Sequence, residues 1–177
     1  MKSKVFTIPN LLTVLRLPFA FLIILYSNSP LKYLFLIIAI LLDFFDGYIA
    51  KKYNQATKLG AILDPLFDKL FVLIVFSFFF IKMNLPFYFI FLFFTRDIIT
   101  SILAILSLFK SLYKKIEIKA RILGKVVTTI QFITLIFMVA ENTTLLTIGA
   151  YLVFIMSILA IIDYVIYIKK QLKISNK

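Results

Sequence analysis

The chain contains no cysteine and no histidine. Without cysteine there can be no disulfide, no thioether-linked haem and no thiolate metal site, and the redox compartment goes unmarked. Without histidine the usual zinc ligand and the usual base near neutral pH are both gone, so acid–base work falls to Asp, Glu, Lys or Tyr. Acid is scarce too: eight Asp and Glu stand against twenty Lys and Arg, a net charge of +12. What fills the chain is apolar. Hydrophobic residues take 63% of the 177 positions and mean hydropathy is +1.06, far above a soluble domain. In such a chain a basic balance points to loops on an anionic leaflet, and no nucleic-acid partner is expected. The many Phe and Tyr are read as packing or lipid-facing residues and are given no chemistry.

The apolar residues fall into six runs, each close to the ~20 residues that cross a bilayer core. They are 11–26, 31–50, 59–81, 85–109, 122–140 and 144–168. Residues 1–10 are read as a short interfacial segment. No small-residue cleavage site closes the first run, which is therefore expected to be retained as a span. The fold expected is an all-α membrane protein: one integral domain over 1–177, built as a bundle of six transmembrane helices. Six spans put both ends of the chain on one side. Fourteen Lys and Arg lie on that side, in 1–10, 51–58, 110–121 and the tail, while the opposite turns carry only Lys32 and Lys82. The positive-inside rule then makes that side cytoplasmic.

Against this background the position of the acids is informative. Asp43 and Asp46 close the second run, and Asp64 and Asp68 open the third; together they are half of all the acid in the chain. Carboxylates at the edge of a membrane span are costly and mark a functional site by default. Spacings of three and four place each pair on one helix face, and a short turn between the helices would bring the two faces together. Four carboxylates in a site of low dielectric cannot all stay ionised without neutralisation. Two divalent cations would balance them, and hard oxygen ligands suit magnesium, manganese or calcium. The charge bias places this cluster on the cytoplasmic side.

The run Asp43-x2-Asp46-Gly47-x2-Ala50-Lys51-x8-Gly60-x3-Asp64-x3-Asp68 resembles the signature of the CDP-alcohol phosphotransferase family, D-x2-D-G-x2-A-R-x8-G-x3-D-x3-D. Only Lys51 departs, standing where the family has Arg; it keeps the charge but loses the bidentate fork. Ile8-Pro9-Asn10-Leu11-Leu12-Thr13-x2-Arg16 is similar to the N-terminus of bacterial phosphatidylglycerophosphate synthases and of the family's cardiolipin synthases. Arg96-Asp97 and Gly124-Lys125-x2-Thr128-x2-Gln131 resemble the same branch. The resemblance implies six transmembrane helices, a homodimer, and metal-dependent transfer of a phosphatidyl group from CDP-diacylglycerol to an alcohol with release of CMP. It implies that Asp43, Asp46, Asp64 and Asp68 bind two Mg²⁺ or Mn²⁺ ions and that Asp68 is the base. It places the nucleotide against Asp46, Gly47, Ala50, Lys51 and Gly60. A bacterial inner membrane is the location it implies.

The acceptor is read from a second group of charges. Arg16, Arg96, Arg121 and Lys125 all lie at, or within reach of, the cytoplasmic half of the bundle and form a candidate anion pocket for a phosphate-bearing alcohol. Among such acceptors the resemblance favours glycerol-3-phosphate, with phosphatidylglycerol, used by a cardiolipin synthase, as the alternative. Arg96 and Asp97 adjoin each other and so face different ways on a helix, which predicts separate partners. Asp163 is paired in expectation with a lysine of the tail. A transporter of ions or solutes would also place carboxylates in the membrane. It fits less well, because the acids cluster at one face, no inverted repeat is present, and the other half of the membrane is nearly free of charge.

Overall fold

The computed structural model describes residues 7–53, 60–109 and 122–175. Among them all regular structure is helical, in six helices: α1 (Ile8–Leu25), α2 (Leu31–Lys52), α3 (Gly60–Lys82), α4 (Tyr88–Phe109), α5 (Ile122–Val139) and α6 (Thr143–Ser175). The helices match the six apolar runs, with differences at the ends that have local causes. α1 takes in residues 8–10, because Thr7 caps it through an Asn10 N–H···Oγ1 bond of 3.4 Å and Pro9 occupies the first turn, where its missing N–H costs nothing. α4 starts three residues later than expected. Pro86 precedes it, and the Pro86 carbonyl accepts the Phe89 N–H at 3.0 Å as the ladder begins. α6 runs on through the basic tail to Ser175; its 33 residues span about 50 Å, more than the hydrocarbon core of about 30 Å.

Among the described residues two helices, α5 and the Thr143–Tyr167 part of α6, are long and apolar enough to cross a membrane. With the composition of the whole chain, they mark a membrane protein. α6 carries Ile148, Leu152, Ile155, Leu159, Ile162 and Ile166 exposed along its length, a surface suited to lipid rather than water.

The chain divides into two compact units. The first holds residues 1–84 and 138–141, with α1 packed on both α2 and α3. Its core includes Ala20 and Ile23 of α1, Leu36 and Ala39 of α2, and Phe71, Val75 and Phe79 of α3. The buried stripe of α1 runs Asn10, Thr13, Arg16, Ala20, Ile23, at the three-and-four spacing of one helix face. Its first half is polar and its second half apolar, which sets the character of each end of the unit.

The second unit holds residues 85–137 and 142–177. Here α4 packs on α6, and Val127 of α5 clusters with Val153 and Ala160 of α6. Gly149 lets α6 come close to α5: a Cβ there would meet the Thr134 Oγ1 at 2.6 Å.

Candidate metal and phosphate site

The polar half of the α1 stripe faces the acids of α2 and α3. Arg16 is 1% exposed, and its Nη2 lies 3.0 Å from Asp43 Oδ1 and 2.7 Å from Asp46 Oδ2. Its Nη1 contacts Asp68 Oδ1. One turn earlier, the Thr13 Oγ1 lies 3.1 Å from Asp46 Oδ2 and 2.9 Å from Asp64 Oδ1, and 3.1 Å from the Pro9 carbonyl. Two side chains of α1 therefore touch all four carboxylates. A hydroxyl has one proton to donate, so Thr13 serves only one of its three acceptors at a time.

Exposure is graded across the quartet. The Asp46 side chain is 8% exposed, Asp68 32% and Asp43 48%. The wet edge of the site is thus on the Asp43 and Asp68 side, and Asp46 lies at its floor. Gly60 opens α3 as a buried residue at the same end. The side chains of Gly47, Ala50 and Lys51 lie outside the described residues, as does all of Arg121.

The donor set suits a hard divalent cation. Four carboxylates and a hydroxyl converge from three helices, and among the described residues the one guanidinium in contact with them offsets a single charge. As the side chains stand, no three acids among the described residues meet at one point to form a metal cage. The Arg16 guanidinium lies in the space that three of them share. Expected as part of an anion pocket, Arg16 is instead held among anions.

The second unit has its own polar cluster. Arg96 Nη1 donates to Thr128 Oγ1 at 3.2 Å, while Gln131 Nε2 donates to Asp97 Oδ2 at 3.0 Å and to the Phe93 carbonyl at 2.9 Å. Arg96 and Asp97 take different hydrogen-bond partners on α5, and Arg96 Nη1 also lies 4.0 Å from Asp97 Oδ1, so the neighbours are not fully separate. Arg96 also lies over Gly124, where a Cβ would come within 2.9 Å of Nη2. Lys125 is exposed on the first turn of α5. Sequence reasoning gave no role to Thr13, Thr128 or Gln131, although all three stand in the motifs quoted above. For Thr13 the available signal was its place three residues before Arg16.

A third cluster lies at the far end of the first unit. Lys32 Nζ and Lys82 Nζ both donate to Glu141 Oε1, at 2.6 and 2.9 Å, and Lys82 also reaches the Ser27 carbonyl at 3.1 Å. The hydrogen bond from Lys32, with a second from Lys82, holds the Glu141 carboxyl below its usual range against the smaller effect of burial. Counting helix rise, Lys32 is about 20 Å from Asp46 along α2, so this cluster and the quartet occupy opposite ends.

A family model described as CDP-alcohol phosphatidyltransferase matches residues 6–167. The chain is similar to the CDP-diacylglycerol–glycerol-3-phosphate 3-phosphatidyltransferase of Rickettsia bellii, 49% identical over 71 residues, which are 37% of this chain and 39% of the relative. The protein of the same name from Cereibacter sphaeroides is 45% identical over 75 residues, 38% of this chain and 34% of the relative. That from Aquifex aeolicus is 42% identical over 67 residues, 36% and 38% of the two chains. The matched stretch thus spans about two-fifths or less of these curated relatives.

Proposed function

Because this chain belongs to the CDP-alcohol phosphatidyltransferase family, we propose that it transfers the phosphatidyl group of CDP-diacylglycerol to glycerol-3-phosphate, forming phosphatidylglycerophosphate and releasing CMP. The observation that carries this reading is the gathering of Asp43, Asp46, Asp64 and Asp68 from two helices around Arg16 and Thr13 of a third. The choice of acceptor rests on the names of the relatives.

In this mechanism the four aspartates hold two divalent cations, Mg²⁺ or Mn²⁺, which when bound polarise the diphosphate and offset the charge of departing CMP. Asp68, at the wet edge, takes the proton of the acceptor hydroxyl as its oxygen attacks the β-phosphorus. The bond from that phosphorus to the bridging oxygen breaks, and CMP leaves with the electron pair. Gly47, Ala50 and Gly60 admit the nucleotide close to the helices, and Asp46 and Lys51 complete its contacts. Arg96, Arg121 and Lys125 are acceptor-phosphate groups in this reading, as is Arg16 once it leaves the carboxylates.

The chain acts as one integral-membrane domain of six transmembrane helices with an interfacial N-terminal segment, and as a homodimer. The family model matches residues from both compact units, in keeping with a single domain. The site and both termini face the cytoplasm of a bacterial inner membrane, a topology supported by the bias of cations along the chain. The test is CMP release by purified protein in detergent with CDP-diacylglycerol and Mg²⁺ or Mn²⁺. Acceptors are supplied singly: glycerol-3-phosphate, phosphatidylglycerol, inositol phosphate or serine. Turnover with glycerol-3-phosphate is expected. Turnover with phosphatidylglycerol alone would make the protein a cardiolipin synthase, and ion flux in vesicles without CMP release would replace the enzyme by a transporter.

A further inference from the structure

We infer that Arg16 and the divalent cations compete for the same carboxylate oxygens, so that metal binding releases the guanidinium and thereby creates the phosphate site. This rests on the metal-dependent reading above and deepens it. Arg16 Nη2 sits 3.0 Å from Asp43 Oδ1 and 2.7 Å from Asp46 Oδ2, the spacing of strong charge-assisted hydrogen bonds. A magnesium ion needs these oxygens at about 2.1 Å in near-octahedral array. The guanidinium contacts one oxygen each of Asp43, Asp46 and Asp68, so a cation that bridges these oxygens takes the place it holds.

The exchange is favourable in charge. Arg16 brings one positive charge to four carboxylates, and two divalent cations bring four. The guanidinium also has a donor left over where it sits. It is 1% exposed, and among the described residues its Nε has no hydrogen-bond partner. A buried cation with an unserved donor is readily drawn to a ligand that uses its whole fork. A phosphate entering beside the metals is such a ligand, and Arg16 lies next to the exposed Asp43 edge through which it would come.

Two linked consequences follow. While its guanidinium sits among the carboxylates, Arg16 is a counter-ion that keeps them together and lowers their affinity for metal. In the metal-loaded protein it is an anion ligand, so metal and phosphate each strengthen the binding of the other through it.

The test measures binding, with no turnover. Mn²⁺ is titrated into detergent-solubilised wild type, Arg16→Gln and Arg16→Lys, followed by the electron paramagnetic resonance of free Mn²⁺, with and without glycerol-3-phosphate. Without the phosphate, Arg16→Gln should bind Mn²⁺ more tightly than wild type by about tenfold, with Arg16→Lys between them. With glycerol-3-phosphate, wild type should gain Mn²⁺ affinity by about tenfold, and Arg16→Gln should lose most of that gain. Arg16→Lys keeps the charge in place and guards against a Gln variant that does not fold. Equal or weaker Mn²⁺ binding in both variants overturns the competition. Tighter binding with the phosphate gain unchanged overturns the second role of Arg16. Absence of Mn²⁺ binding in folded wild type overturns the metal reading itself, a result distinct from either.

Discussion

Thr13→Val removes one hydroxyl and little else from the centre of the quartet. The Oγ1 lies within 3.1 Å of two carboxylates and one carbonyl, yet it has one proton. Its worth is therefore one hydrogen bond at a time. The Pro9 carbonyl is neutral and the carboxylates are charged, so the proton is drawn to Asp46 or Asp64. A hydrogen bond to a charged group contributes about 1.5–3 kcal/mol. If it holds Asp46 and Asp64 in their working positions, its loss should lower kcat/KM by about 10- to 150-fold, at 1.36 kcal/mol per tenfold. The assay is CMP release in mixed micelles of CDP-diacylglycerol, with Mn²⁺ affinity measured alongside. Thr13→Ser, which keeps the hydroxyl and loses the methyl, should retain most of the activity. A Thr13→Val enzyme within twofold of wild type would mean that the proton rests on Pro9, and that the link to the acids does no work. Loss of activity in Thr13→Ser alone would assign the effect to packing of the methyl group, and loss in both would mean that hydroxyl and methyl are each needed.

Asp68→Asn should cut turnover by about 10²- to 10⁴-fold, the usual share of a general base, while Mn²⁺ binding falls much less; wild-type turnover would remove it as the base. Glu141→Gln should cost about 0.5–1 kcal/mol, because the carboxylate is partly exposed and its two ion pairs are screened. The Glu141 carboxyl is held low in the folded protein, so its contribution is complete above the ordinary glutamate value of about 4.3 and is lost as pH falls through the folded value. The difference in thermal midpoint between wild type and Glu141→Gln should therefore close in acid, and a gap that widens there would refute the pairing. Gly149→Ala should destabilise by about 1–3 kcal/mol through overlap with Thr134, and thermal unfolding of Gly149→Ala/Thr134→Ala should recover much of it.

The helices were readable because each apolar run is bounded by turn chemistry or charge, and because the pattern of a helix is local. The pairing of the acids was readable for the same reason, since spacings of three and four fix a face. Which neighbour that face meets is not local. Arg16 read as a cation looking for an anion, which is correct chemistry, but the anions it meets in the structure are Asp43, Asp46 and Asp68. Thr13 was passed over because a lone threonine in an apolar helix is common, and only its distance to two acids distinguishes it. Lys32 and Lys82 read as stray charges in sparse turns. Their meeting on Glu141 depends on residues 109 and 59 positions away, beyond the reach of any periodicity.

The link between Arg16 and the acids also bears on how the protein is made. Under the proposed topology α1 enters the membrane first, carrying an arginine near its middle with no partner yet synthesised. Such a residue costs up to about 2.5–3.5 kcal/mol on insertion scales, the figure for a helix centre, and less toward the boundary. Asp46 follows 30 residues later, about 2–6 s behind at ordinary rates of synthesis. α1 is therefore a poor span alone and a good one beside α2, so the two should be handed from the translocon to the lipid together, as a hairpin. Under that topology the charge that organises the site in the finished protein also sets the smallest unit in which the chain enters the bilayer.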